Sequence, residues 1–211
     1  MNLQTYLVTD DRLSTHGTVE TVTAAIEGGV DIVQLREKSM TARDRYELGR
    51  RLRELTREAG VPLVVNDRID LAAAIDADGV HLGDDDLPVA VAREQLGEGC
   101  LVGRSVSTVE AAREAADAGA DYLGVGAVFA TGSKETDPAE SSIGLDRIRA
   151  IDDAVDLPFV GIGGIDATNA DAVTAAGADG VAVITAITDS DDPETATRDL
   201  RRAAAGVEGS A

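Results

Sequence analysis

Lysine is almost missing from this chain. Only Lys38 and Lys134 occur in 211 residues, and most of the remaining positive charge is arginine. Acidic residues outnumber basic ones 39 to 19, for a formal net charge of -20, which argues against a nucleic acid or an anionic membrane surface as partner. A phosphate ligand must then be held by local charges. Cysteine is equally scarce: Cys100 stands alone, so no intrachain disulfide forms and nothing asks for an oxidising compartment. It reads as a small buried residue of a strand. No apolar run approaches the roughly 18 residues of a membrane span. The opening M-N-L-Q-T-Y-L-V-T-D-D has no basic segment followed by an apolar one, so a soluble cytoplasmic protein is expected. Excess Asp and Glu with so little Lys suits a protein kept soluble in concentrated salt. In roughly 1 M salt the Debye length is about 3 Å, and repulsion of an anionic substrate is mostly screened.

What is present is alternation. Short runs of Val, Ile and Leu at 5–9, 31–36, 62–66, 79–82, 100–105, 122–126, 158–162 and 180–185 read as strands. Ala-, Glu- and Arg-rich segments of helical period follow them at 19–27, 41–59, 70–76, 88–96, 108–118, 145–154, 167–176 and 194–206. Such βα repetition predicts a parallel sheet. The segments G-G-V-D-I-V, D-A-D-G-V-H, A-G-A-D-Y-L and A-G-A-D-G-V open every second strand, making Asp31, Asp78, Asp121 and Asp179 equivalent. The expectation is one (β/α)8 TIM-barrel domain over residues 1–211, with a mobile loop at 127–142 and a frayed C-terminus. An open doubly wound sheet is the alternative, but no G-x-G-x-x-G follows the first strand.

In such a barrel the reacting groups gather at the carboxyl ends of the strands. The stretch D-I-V-Q-L-R-E-K ends the second strand with Arg36 and Lys38, two residues apart and so on one face of an extended chain. The third strand ends in Asn66 and Asp67, and the fourth in His81 and the acidic turn Asp84, Asp85, Asp86. The fifth ends at Ser105, the sixth runs toward Thr131, Ser133 and Lys134, and the eighth ends at Thr185. Asp67 with one or more of the three turn aspartates suits Mg²⁺, which is held by one or two carboxylates plus substrate phosphate; a merely solvated acidic turn is the other reading. Arg36, Lys38, Lys134 and the metal together would hold a pyrophosphate and stabilise it as it leaves. A second anion site is expected where G-I-G-G-I and V-I-T-A-I bring backbone N–H groups and the Thr185 hydroxyl together, although glycine there also serves backbone geometry alone. His16 reads as a surface residue and His81 as strand-end packing, neither with a role.

Taken in order, Y-L-V-T-D at Tyr6, V-Q-L-R-E-K at Val33, V-N-D-R at Val65, D-G-V-H-L-G at Asp78, G-R-S at Gly103, D-Y-L-G-V-G at Asp121, T-G-S-K at Thr131, G-I-G-G-I at Gly161 and V-I-T-A-I at Val183 resemble the thiamine-phosphate synthase family over nearly the whole chain. The resemblance implies a Mg²⁺-dependent transferase that joins a hydroxymethylpyrimidine pyrophosphate to a thiazole phosphate, releasing pyrophosphate. It implies that the run Gln34, Leu35, Arg36, Glu37, Lys38, together with Asn66, Ser105 and Lys134, meets the pyrimidine substrate, and that Asp67 and Asp86 ligate Mg²⁺. Thr131, Gly132, Ser133, Gly164, Ile184 and Thr185 would hold the thiazole phosphate, and Arg36, Lys38, Ser105 and Lys134 would carry the chemistry. Ser107 stands where the family commonly has His, which with Lys38 favours a synthase over the related thiazole tautomerases. A class I aldolase using a Schiff-base lysine and a non-catalytic sensor of thiamine intermediates are the competing readings. Monomer and homo-oligomer are both left open.

Overall fold

The computed structural model describes residues 1–130 and 142–206. Thr131, Gly132, Ser133, Lys134 and the last five residues lie outside them, and with them most of the loop expected at 127–142 and the expected frayed end.

Eight parallel strands close in sequence order into a barrel: β1 (Thr5–Val8), β2 (Ile32–Leu35), β3 (Leu63–Asn66), β4 (Gly79–Leu82), β5 (Leu101–Val106), β6 (Tyr122–Gly126), β7 (Phe159–Ile162) and β8 (Gly180–Val183). The helices between and after them are α1 (Thr18–Glu27), α2 (Ala42–Ala59), α3 (Ile69–Ala74), α4 (Val89–Leu96), α5 (Val109–Asp117), α6 (Gly144–Asp152), α7 (Ala170–Ala175), α8 (Thr185–Thr188) and α9 (Pro193–Ala204). The closed ring replaces the open-sheet alternative, since β8 pairs back on β1 with Leu7 opposite Val183.

Period-two alternation divides the strand residues between two cores. Leu7, Val33, Leu35, Val65, Leu123 and Val181 face the helices. Tyr6, Ile32, Val64, Tyr122, Val160 and Ala182 fill the interior. Helix ends are set by local chemistry: Thr41 caps α2 by accepting from the Asp44 N–H, and Gly60, at φ 69°, ends it in the left-handed conformation that glycine adopts without strain. Asp192 caps α9, with Pro193 in its first turn.

The four equivalent aspartates share one function at the barrel's base. Asp31, Asp78, Asp121 and Asp179, each just before an even-numbered strand, accept the backbone N–H of Thr5, Leu63, Val102 and Phe159 on the preceding odd-numbered strand. Arg201, Arg53 and Arg93, from α9, α2 and α4, close the first three of these clasps.

Two short elements depart from expectation. Asp11–Leu13 forms a 3-10 turn whose N-cap, Asp10, accepts from the Arg12 N–H. Thr185, expected at the end of the last strand, begins α8 instead: β8 stops at Val183, and Ile184 turns the chain with ψ at -85°. Cys100 is half-buried and precedes β5 rather than lying within it.

Candidate active site

The carboxyl ends of the strands surround a narrow cavity of about 50 Å³ that descends into the barrel. Gln34, Arg36, Asn66, His81 and Ser105 line it, with Ile162, Ala182 and Ile184 on the opposite wall. The last three also line a wider neighbouring cavity of about 300 Å³ over β7 and β8, which includes Gly163, Gly164 and Thr185. Two adjoining spaces therefore open at one end of the molecule, as the strand-end inventory anticipates.

Arg36 is held from behind. Its guanidinium donates to Asp10 Oδ2 at 2.7 Å and its backbone N–H to Thr9 Oγ1 at 3.1 Å. Asp10 is 1 % exposed and also binds Arg12. Burial alone would push this carboxyl up, but Arg12 and Arg36 outweigh it and hold it below the ordinary carboxylate value.

β2 stops at Leu35, so Lys38 lies in the turn beyond it rather than on the extended chain, and it reaches the third strand's end: its Nζ is 3.3 Å from Asp67 Oδ2. Asp67 has φ 64°, a left-handed conformation that aspartate tolerates better than most residues, and its N–H donates to the His81 carbonyl. Asp86 approaches from the turn after β4 and accepts the Gly83 N–H at 2.6 Å. Burial raises the Asp86 carboxyl, the Gly83 N–H opposes that rise, and the contacting Asp67 carboxylate adds to it. Asp84 is instead paired with Arg104, and of the three turn aspartates it is Asp86 that meets Asp67. A pair of touching carboxylates of which one is driven toward its protonated form is an arrangement that a divalent cation relieves. Two such oxygen donors fit Mg²⁺, whose remaining ligands come from water and substrate. Among the described residues no cluster of three or more acidic, His or Cys side chains offers a fuller cage.

Leu35 and Glu37 are placed elsewhere. Alternation turns Leu35 into the outer core, fully buried against Gly49. Glu37 is 1 % exposed and accepts from the Asp11 N–H at 2.8 Å and Thr18 Oγ1 at 3.1 Å. Burial pushes its carboxyl above the ordinary value despite those bonds.

Around the wider cavity Gly163 and Gly164 have φ of 101° and 64°. A Cβ on Gly163 would stand 2.6 Å from that of Ala127, and one on Gly164 2.7 Å from the Ala130 carbonyl, so backbone lies where side chains would otherwise block the wall. Ile184 and Thr185 enter from the β8 turn. Asp166 and Asp189 line the same space, each already accepting a threonine hydroxyl, from Thr168 and Thr15.

Beneath Ser105 runs a polar chain that sequence reasoning missed. Gln34 Nε2 is 2.7 Å from the Tyr6 hydroxyl, which is 2.9 Å from that of Tyr122. The Tyr122 hydroxyl is 3.1 Å from His81 Nδ1, and His81 Nε2 is 2.9 Å from Ser105 Oγ. Strand parity was the available signal: inward positions two apart from Arg36 include Gln34, and inward polar groups of a packed barrel must bond to one another.

A sequence model of the family described as Thiamine monophosphate synthase matches residues 5–187. The chain is 70% identical over 203 residues to a protein named thiamine-phosphate synthase from Natronomonas pharaonis, covering 96% of this chain and 95% of that one. It is 68% identical over 200 residues to the protein of the same name from Haloarcula marismortui, covering 94% and 95%. A solved structure of thiamine phosphate pyrophosphorylase from Pyrococcus furiosus superposes with a TM-score of 0.89 at 43% identity, covering 99% of this chain and 98% of that one.

Proposed function

The chain belongs to the thiamine monophosphate synthase family, and from that premise we propose that it condenses 4-amino-2-methyl-5-hydroxymethylpyrimidine pyrophosphate with a thiazole phosphate. The observation that supports this reading is the contact of Asp67 with both Lys38 and Asp86, next in the chain to Asn66, which with Arg36 lines a narrow cavity whose neighbour is walled by a glycine turn.

The bond that breaks joins the pyrimidine methylene to the pyrophosphate, and its electron pair leaves with the pyrophosphate. The electron-rich aminopyrimidine spreads the resulting positive charge, so no protein nucleophile is needed. The thiazole nitrogen then donates its lone pair to the methylene, forming the new C–N bond. Arg36, fixed by Asp10, presents a guanidinium to the departing phosphates without having to be ordered at that moment. Lys38 adds a second cation, and Lys134 a third. Bound Mg²⁺, held by Asp67 and Asp86, would supply charge neutralisation at the same oxygens. Asn66 and Ser105 orient the ring. Gly164, Ile184 and Thr185, with Thr131, Gly132 and Ser133, seat the thiazole phosphate so that its nitrogen lies in line. The partners are thus small phosphorylated molecules. Among the described residues no helix is long and apolar enough to cross a membrane.

Release of pyrophosphate that requires both substrates and Mg²⁺ is the test. Lys134→Ala and Asp67→Asn should each cut the rate by roughly 100-fold or more, and Asp67→Asn should also raise the Mg²⁺ requirement at least tenfold. Full activity in both variants would remove the site assignment. Binding of both substrates without release would favour a sensor, and rearrangement of the thiazole alone an isomerase.

A further inference from the structure

The buried chain from Gln34 to Ser105 has a direction. An amide nitrogen carries only hydrogens, so Gln34 Nε2 donates to the Tyr6 hydroxyl. The Tyr6 oxygen could accept a second hydrogen, but its own buried hydrogen has the Tyr122 hydroxyl as its acceptor among the described residues, so Tyr6 donates to Tyr122, and by the same argument Tyr122 donates to His81 Nδ1. A ring nitrogen that accepts carries no proton, which assigns the neutral imidazole's hydrogen to Nε2 and makes it the donor to Ser105 Oγ. The Tyr6, Tyr122 and Nε2 hydrogens are thus each committed to the next member, so the serine hydroxyl, which accepts from His81, is left with a hydrogen to give to whatever occupies the cavity.

Burial supports each step. Tyr122 and Tyr6 are 0 % and 1 % exposed, and His81 8 %. Burial pushes the Tyr6 hydroxyl up to about 12 and Tyr122 well above its ordinary value, so both keep the hydrogen that the relay needs. The surrounding strands also make room for it. A Cβ on Gly103 would stand 2.2 Å from Tyr122 Cζ and 2.4 Å from His81 Nδ1, and one on Gly124 would stand 3.0 Å from His81 Cε1. Two inward strand positions are thus empty of side chain where the histidine and tyrosine lie.

We propose that His81 is a positioning residue: locked as the Nε2–H tautomer by a one-way hydrogen-bond chain from Gln34 through Tyr6 and Tyr122, it makes Ser105 an obligatory donor and so selects a ring that turns an unprotonated nitrogen toward it. This rests on the reading of the cavity as the aminopyrimidine site. The serine alone would rotate between donating and accepting; the histidine removes the second choice. A ligand offering a C–H or N–H at that point would leave the serine's hydrogen unpaired in a closed space, which is costly.

The chain contains only two histidines, His16 and His81, so ¹⁵N-histidine labelling reads the tautomer directly, with a His16→Ala spectrum for assignment. The full-length protein should show His81 with a bare Nδ1 and a protonated Nε2, and Tyr122→Phe should convert it to a mixture of tautomers. A protonated Nδ1 in the parent, in either the other tautomer or the imidazolium, overturns the proposal. The second measurement is a double-mutant cycle on binding of the pyrimidine pyrophosphate. Tyr122→Phe, which keeps the buried ring, should weaken binding by about tenfold with Ser105 present and less than twofold in a Ser105→Ala background. Equal losses in the two backgrounds would mean that Tyr122 acts only as packing. The tautomer is read without substrate, so the expected spectrum from a protein that releases no pyrophosphate would sink the proposed reaction and leave the wiring standing.

Discussion

Arg36 points its guanidinium at Asp10, 2.7 Å away and almost wholly buried, before any substrate arrives. An arginine expected from its place beside Lys38 therefore owes its aim to a residue one strand earlier. Asp10→Asn removes the charge that fixes it while keeping the shape. We expect a roughly 10- to 100-fold loss in kcat/KM for the pyrimidine substrate, since a small misplacement of a charged group costs that much, together with about 3 kcal/mol of stability from breaking a buried pair. An Asn variant with parental kinetics would show that Arg36 aims itself.

The pH dependence of stability contains two opposed contributions. Asp10 is depressed in the fold, so the stability it adds is present above its unfolded value, about 3.9, and is lost as pH falls through the lower folded value. Glu37 is raised, so its contribution is full below about 4.3 and is lost as pH rises through its folded value. Glu37→Gln should therefore flatten the stability profile on the neutral side of pH 4.3, as read from urea midpoints across that range. An unchanged slope would show that Glu37 does not titrate differently in the fold.

Gly103→Ala should destabilise the barrel by about 1–3 kcal/mol, the range for overpacking, because the added methyl meets two buried rings rather than a flexible chain end. Gly99→Ala is the matched control, with nothing within 4 Å of its added carbon, and should stay within about 0.5 kcal/mol of the parent. Similar denaturation midpoints for the two variants would contradict the packing described for His81 and Tyr122.

The net charge of -20 predicts a strong response to salt. Self-repulsion falls as the Debye length shrinks from about 10 Å at 0.1 M to about 3 Å at 1 M. The thermal midpoint should rise by about 5 °C or more between these conditions. A midpoint that is flat or falling with KCl would refute the idea that the acidic surface suits concentrated salt.

Most of the barrel was legible because its signal is local. Eight apolar runs separated by helical segments leave few topologies, and the aspartate repeat marked the start of every even strand, where all four clasps are found. The eighth strand's end was not legible: V-A-V-I-T-A-I is a continuous run of strand-forming and small residues, and periodicity cannot tell where extended backbone yields to the turn at Ile184. Charge at the strand ends led to Lys38, Asp67 and Asp86, which the structure brings into contact, and to Arg36, which lines the narrow cavity. It could not lead to Asp10, whose role depends on a cross-strand bond, or to His81, whose partners come from β5 and β6. Leu35 and Glu37 adjoin site residues in sequence, and alternation sends both side chains the other way.

The aspartate clasps at the base join β1 to β2, β3 to β4, β5 to β6 and β7 to β8, and none of these four aspartate-to-amide bonds crosses from an even strand to the odd one that follows. The ring is thus assembled from four stapled quarters, and Arg53 of α2, Arg93 of α4 and Arg201 of α9 reach across from one quarter to the aspartate of the next. Its seams fall after α2, α4 and α6. New termini opened at Gly60 or Gly97, both turned outward with empty space around them, would keep the two ends of every aspartate-to-amide bond close in sequence, whereas a cut between β3 and β4 would send the ends of one to opposite ends of the chain.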